Sequence, residues 1–154
     1  MKKLLQKRKN NKGFSLVELI VVVAIMAVLI GVLVPTLVRN VEKSKKQKDI
    51  ATVEEVRNQL TIALADEKYS ALAGTITCSN GNVQLNASSS DSITPKDAAN
   101  DYIKEASQNL NAKDTFEKQL TSKAYGKATV TFTIANEKVT ATIAGEKESA
   151  TLGE

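Results

Sequence analysis

The sequence contains no histidine and no tryptophan, and a single cysteine among its 154 residues. Without His, the usual general base near neutral pH and the commonest metal ligand are both gone. Catalysis would fall to Cys, Lys, Tyr or carboxylates, and none of these stands in a recognisable arrangement. Neither a Gly-rich phosphate loop nor a metal-ligand cluster is present. The chain is therefore expected not to be an enzyme and to use no metal or cofactor. One Cys, Cys78, cannot close an intrachain disulfide, so a small exported fold would have to hold by side-chain contacts alone. Such a lone thiol reads as a small buried hydrophobe. With aromatics at 4%, the core must rest on Val, Ile, Leu and Ala. The length suits one domain rather than two.

Acidic residues are absent from the first 13 positions, which carry Lys2, Lys3, Lys7, Arg8, Lys9 and Lys12. Residues 50–154 reverse this, with 10 basic and 14 acidic side chains. The overall +4 thus describes the leader and not the remainder, and bulk charge argues against nucleic acid as a partner. Polar residues are scarce from Phe14 to Val38, interrupted by Ser15, Glu18, Pro35 and Thr36. A helix of about 20 such residues spans the hydrocarbon core of a bilayer. The run exceeds the 7–15 apolar residues of a secretory signal, and no A-x-A-type site follows it. The basic flank predicts the N-terminus in the cytoplasm and the rest outside.

Glu18 is costly inside such a run and is a functional residue by default, although a place at headgroup level would soften the cost. Its neighbours give it a context. Lys12-Gly13-Phe14-Ser15-Leu16-Val17-Glu18-Leu19-Ile20 resembles the prepilin cleavage and methylation site of type IV pilins. The resemblance covers residues 12 to about 40: a basic leader ending in Gly, a Phe, a Glu at the fifth position after the cut, then apolar residues. It implies that a prepilin peptidase cuts between Gly13 and Phe14 and methylates the new amine of Phe14. It also implies an assembly platform and ATPase in the membrane. An unpaired amine among apolar helices would cost several kcal/mol. Glu18 of one subunit would neutralise the Phe14 amine of its neighbour and set the axial register. Gly31 and Pro35, four residues apart, are expected to kink the helix.

Beyond the run, Glu42 to Asp49 has no apolar residue and reads as a solvated neck, with lipid headgroups or nucleic acid as the alternative contacts of its lysines. From Ile50 an amphipathic stripe begins, with Val53, Val56, Leu60, Ala63 and Leu64. One helix is predicted from about Phe14 to Lys68. Thr75–Cys78 and Val83–Ala87 read as a hairpin around Asn80-Gly81. Thr94 and Pro95 open a helix with Ala98, Ala99, Tyr102, Ile103, Ala106 and Leu110 on one face. A short helix is expected near Thr115–Ala124, opened by Asp114 and Glu117. Ala128–Ile134 and Val139–Ile143 alternate apolar with Thr and form a ribbon turning at Asn136-Glu137. The tail from Glu146 reads as loose.

The expected architecture is α+β, a long N-terminal helix laid on a small antiparallel sheet. Its segments are a cleaved leader 1–13, a transmembrane and assembly helix 14–38, a neck and amphipathic half 39–68, and a head 69–154. The function the resemblance implies is a pilus subunit that polymerises with copies of itself into a surface filament for adhesion, motility or aggregation. The competing reading is a pseudopilin of a type II secretion or DNA-uptake machine. The paired cysteines of many Gram-negative pilins and the acidic loop of major secretion pseudopilins are both missing, and the pattern looks more like Gram-positive pilins. A plain anchored binding module would leave Glu18 unexplained.

Overall fold

A computed structural model describes residues 14–86, 92–111 and 118–153. The chain divides into two compact units, with the boundary between Asn40 and Val41. Helix α1 (Leu16–Leu64) contains Pro35 and belongs to both units.

In the first unit α1 buries nothing, and every side chain from Phe14 to Asn40 is exposed. By length and composition this helix is able to cross a membrane. Large exposed hydrophobics run from Leu16 through Val38, far beyond the apolar patch a soluble monomer leaves in water.

The second unit is α+β. After α1 come a 3₁₀ turn (Glu67–Tyr69), β1 (Ala73–Cys78), β2 (Ile93–Thr94), α2 (Lys96–Asn111), β3 (Thr129–Ala135), β4 (Lys138–Ala144) and β5 (Ser149–Leu152). The strands form one antiparallel sheet in the order β2-β1-β3-β4-β5. Alternation decides its faces, because successive strand side chains point to opposite sides. Ile76, Phe132 and Ala141 lie in one cross-strand row on the buried face. Thr77, Thr131, Thr142 and Thr151 form a row on the other face. The core joins this sheet to Val53, Val56, Leu60 and Ala63 of α1 and to Ala99, Tyr102, Ile103, Ala106 and Leu110 of α2. Tyr102 stacks edge-on against Tyr69 at 5.3 Å between ring centroids, and its hydroxyl donates to the Leu60 carbonyl at 2.8 Å. A buried phenol thus keeps a partner, as burial requires.

The β3–β4 hairpin turns at the expected residues. Asn136 and Glu137 both have positive φ, 52° and 59°, the signature of a two-residue turn whose twist matches the strands. Several other expectations change. Asn80-Gly81 does make a tight turn, with Asn82 N–H donating to the Ser79 carbonyl at 3.1 Å. Residues 83–86 nevertheless do not return along β1 as a strand. β1 pairs with β3 along its length and with β2 at its start. The segment after Gly81 docks instead on 118–120, through Val83 N–H to the Lys118 carbonyl and Leu120 N–H to the Gly81 carbonyl, both 2.8 Å. Gly81 has φ +69°, and a Cβ there would lie 2.3 Å from the Gly126 carbonyl oxygen, so this close approach needs glycine.

Thr94 belongs to β2 and its hydroxyl donates to the Ala73 carbonyl at 3.3 Å. The Pro95 carbonyl, just before α2, accepts from Ala99 N–H at 3.2 Å. Residues 118–124 form a bridge and turns rather than a helix; Asp114 and Glu117 lie outside the described residues, as do most of the serine-rich loop and the leader with Gly13. The tail is not loose: β5 pairs with the free edge of β4, Ala141↔Leu152 through Ala144↔Ser149.

Candidate functional site

The first turn of α1 brings together the residues that the sequence singles out. Phe14 is 84% exposed. Ser15 immediately precedes the helix, and its carbonyl accepts from Leu19 N–H at 3.2 Å. Glu18, the third helical residue, reaches back so that its Oε2 accepts from Ser15 N–H at 2.9 Å. The first N–H groups of a helix have no partner within it, and Ser-x-x-Glu is the pattern by which a side chain supplies one. The spacing of Ser15 and Glu18 carries this capping signal, which the sequence reading passed over. The cap holds the carboxylate at the helix start, one residue from Phe14. It also opposes the positive end of the helix dipole.

Gly31 lies in open space, with no atom within 4 Å of a Cβ built on it. A neighbouring helix can approach its backbone closely at this position. α1 remains one helical element through Pro35.

The neck is where the structure adds most. Asp49 is only 2% exposed. Its two carboxylate oxygens accept from Thr121 N–H at 2.9 Å and Ser122 N–H at 2.8 Å. Two turns earlier, Glu42 accepts from Lys123 N–H. Lys46 pairs with Glu148 and lies 5.7 Å from the Tyr125 ring centroid; the Glu148 carboxylate raises the Lys46 pKa. The stretch read as a solvated neck therefore straps loop 118–127 and the turn before β5 to the helix. The legible signal was that Asp49 lies four residues before Val53, in line with the buried stripe.

A second polar cluster lies where the 3₁₀ turn meets α2. Lys68 bridges Asp66 and Glu105 at 3.1 and 3.2 Å, and Tyr69 donates to Glu105 at 3.1 Å. The Asp66 side chain raises the Lys68 pKa, with Glu105 adding to it; the backbone N–H of Lys68 in turn lowers that of Asp66. The shallow cavity here, about 600 Å³, is open and lined by charged ends. Among the described residues no group of three His, Cys, Asp or Glu side chains is placed to hold a metal ion. Cys78 is buried and unpaired, and burial pushes its thiol up to about 11.

An exposed apolar helix capped by its own carboxylate, continuing into an α+β unit, fits a membrane-anchored pilin-like precursor. Comparison with known proteins agrees. The model of the prokaryotic N-terminal methylation motif matches residues 8–34. Prepilin peptidase-dependent protein A of Clostridium perfringens is 34% identical over 87 residues, which is 55% of this chain and 62% of the relative. Type II secretion system core protein G of Dickeya chrysanthemi is 36% identical over 58 residues, 38% of each chain. The corresponding Escherichia coli protein is 36% identical over 60 residues, 39% of this chain and 41% of the relative. The chain thus spans less than two thirds of the first relative and about two fifths of the others. No solved structure matches. The motif and these relatives together support a type IV pilin-like family for the chain.

Proposed function

We infer that the chain is cut between Gly13 and Phe14 by a prepilin peptidase, methylated on Phe14, and then polymerised through α1 into a pilus on the cell surface. The observation that carries this reading is the wholly exposed helix from Leu16 to Val38 with one carboxylate, Glu18, at its start. Lipid covers such a surface before assembly, and other copies of the same helix cover it afterwards. Cleavage would place a positive amine on Phe14, one residue from the amide that Glu18 already holds. Among packed helices that amine needs a counter-charge, and Glu18 of the adjoining subunit supplies it. Gly31 and Pro35 let the helix bend as neighbours close around it. The name of the C. perfringens relative supports dependence on the peptidase. The names of the secretion relatives favour a second reading, in which the same helix builds a secretion pseudopilus. In either case the platform and ATPase of the assembly machine are the membrane partners.

Co-expression with a prepilin peptidase tests the first step. Mass spectrometry should find a chain shorter by its 13-residue leader, with N-methyl-Phe14. Glu18→Ala should be inserted and cut normally yet fail to assemble. Breaking one side of a buried pair costs about 3–5 kcal/mol, more than a hundredfold in each association step. Normal filament yield from Glu18→Ala, read by electron microscopy against the membrane pool, would remove the pairing mechanism.

A further inference from the structure

The second unit carries its charge unevenly. Segments 41–49, 118–127 and 145–148 meet through the Glu42, Asp49 and Lys46 contacts. Together they hold eight lysines against four acids. Segments 66–69 and 96–105, joined by the Lys68–Glu105 bridge, hold three lysines against five acids. Asp49 and Leu64, the helical residues nearest these two groups, stand roughly 22 Å apart along α1. The unit is therefore basic at the end that follows the apolar run in sequence and acidic at the other.

Three of the four acids at the basic end are already engaged. Asp49 serves two backbone amides, Glu42 serves a third, and Glu148 serves Lys46. The fourth, Glu146, is exposed. Lys43, Lys45, Lys123 and Lys127 are exposed as well. The first two follow Val38 by five and seven residues. The other two come from a loop far along the chain that Glu42 and Asp49 hold at the same level of the helix. Because backbone amides, rather than these four lysines, satisfy Asp49 and Glu42, the four ammonium groups stay exposed to solvent.

The geometry points to an anionic phospholipid leaflet as the partner of this lysine face. Lysines are compact charges on flexible stems, without the fixed fork by which arginine grips one anion, and they suit a fluid layer of headgroups. Each lysine close to an anionic membrane surface strengthens attachment about fivefold, within a Debye length. The inference rests on the apolar run spanning a bilayer, which puts residues 43–45 at its surface; it does not depend on polymerisation. An anchored subunit would then be held by its head as well as by its helix, and leaving the membrane for a filament would release both.

The test uses the full chain, ¹⁵N-labelled, in nanodiscs of phosphatidylcholine alone or with phosphatidylglycerol, each doped with a lipid carrying gadolinium on its headgroup. Amide signals of residues 121–127 should broaden several-fold more in the anionic discs, and those of 97–105 should be alike in both. Lys123→Gln with Lys127→Gln, or added salt, should bring the loop back to the neutral-disc level. Unchanged 97–105 signals in that variant show that the fold is intact. Equal broadening in both discs, or a variant that keeps the difference, overturns the assignment while leaving the anchor standing. Broadening that follows the number of chains per disc instead of lipid charge would assign the lysines to a second copy and overturn it too. A chain that never enters the discs refutes the anchor itself, and this inference with it.

Discussion

Replacing Asp49 by Ala removes two charge-assisted hydrogen bonds at 2.8 and 2.9 Å from a side chain that is 2% exposed. Hydrogen bonds to a charged group contribute about 1.5–3 kcal/mol each, and a buried N–H left without a partner, here that of Ser122, costs about 1–3 kcal/mol. Part of this is offset, because the carboxylate no longer has to be taken out of water. The expected net loss is about 2–4 kcal/mol. For a unit the size of Val41–Glu154 that lowers the melting temperature by about 8–16 °C. The assay is urea unfolding of fragment 41–154 followed by circular dichroism, with the slope unchanged. Asp49→Asn keeps one acceptor but turns an NH₂ toward the other amide, so it should recover only part of the loss. Gln47→Ala, an exposed neighbour, should stay within about 0.5 kcal/mol of the parent. A loss below about 0.5 kcal/mol for Asp49→Ala would refute the strap and return the neck to solvent. A fragment beginning near Ile50, the cut that the amphipathic pattern invites, deletes Glu42, Lys46 and Asp49 and should be less stable than one beginning at Val41.

Phe132 is 0% exposed and faces Ile76 and Ala141, so Phe132→Ala should cost about 3–5 kcal/mol; under about 1 kcal/mol would contradict the buried face assigned to β3. Cys78 titrates near 11 in the folded chain against an ordinary 9.0. The folded state therefore holds this proton more tightly than the unfolded one. Its stabilising effect is complete below pH 9 and is lost as pH rises through about 11, amounting to about 2–3 kcal/mol. Cys78→Ala should show a correspondingly smaller alkaline loss in urea titrations, and identical losses would mean that another group titrates.

The two long-period patterns were legible because burial alone decides them. The α1 stripe from Val53 to Leu64 and the α2 stripe from Ala99 to Leu110 are buried as their spacing demands. The β3–β4 ribbon was equally plain, since strict alternation and a two-residue turn agree on one register. Val83 and Leu85 misled because their side chains are buried as in a strand, while the Val83 N–H bonds the Lys118 carbonyl and not β1. β5 escaped notice because its four residues alternate only between exposed and half-buried; it is defined by the unfilled edge of β4, which no local pattern announces. Asp49 was hidden by composition. A carboxylate beside four lysines reads as solvated, and only the distant backbone of 121–122 turns it into a buried acceptor. At the N-terminus, a charge inside the apolar run marked Glu18 and the resemblance to the prepilin site marked Phe14, whereas the Ser-x-x-Glu spacing of Ser15 and Glu18 went unread as a cap.

The strap also has a mechanical consequence. Glu42 and Asp49 stand seven residues, roughly 10 Å, apart along one face of α1, and they hold neighbouring amides of one loop, those of Lys123 and of Thr121 and Ser122. A pull along the helix axis loads both attachments together, in shear, instead of peeling them one after the other. Since the apolar run ends just before Glu42, any tension entering through that run reaches the sheet here first. The loop hands it on through Ala128 and β3 to the centre of the sheet, where the strand is paired on both sides. A head so attached would yield at its hydrogen-bonded strap before its hydrophobic interior felt the load.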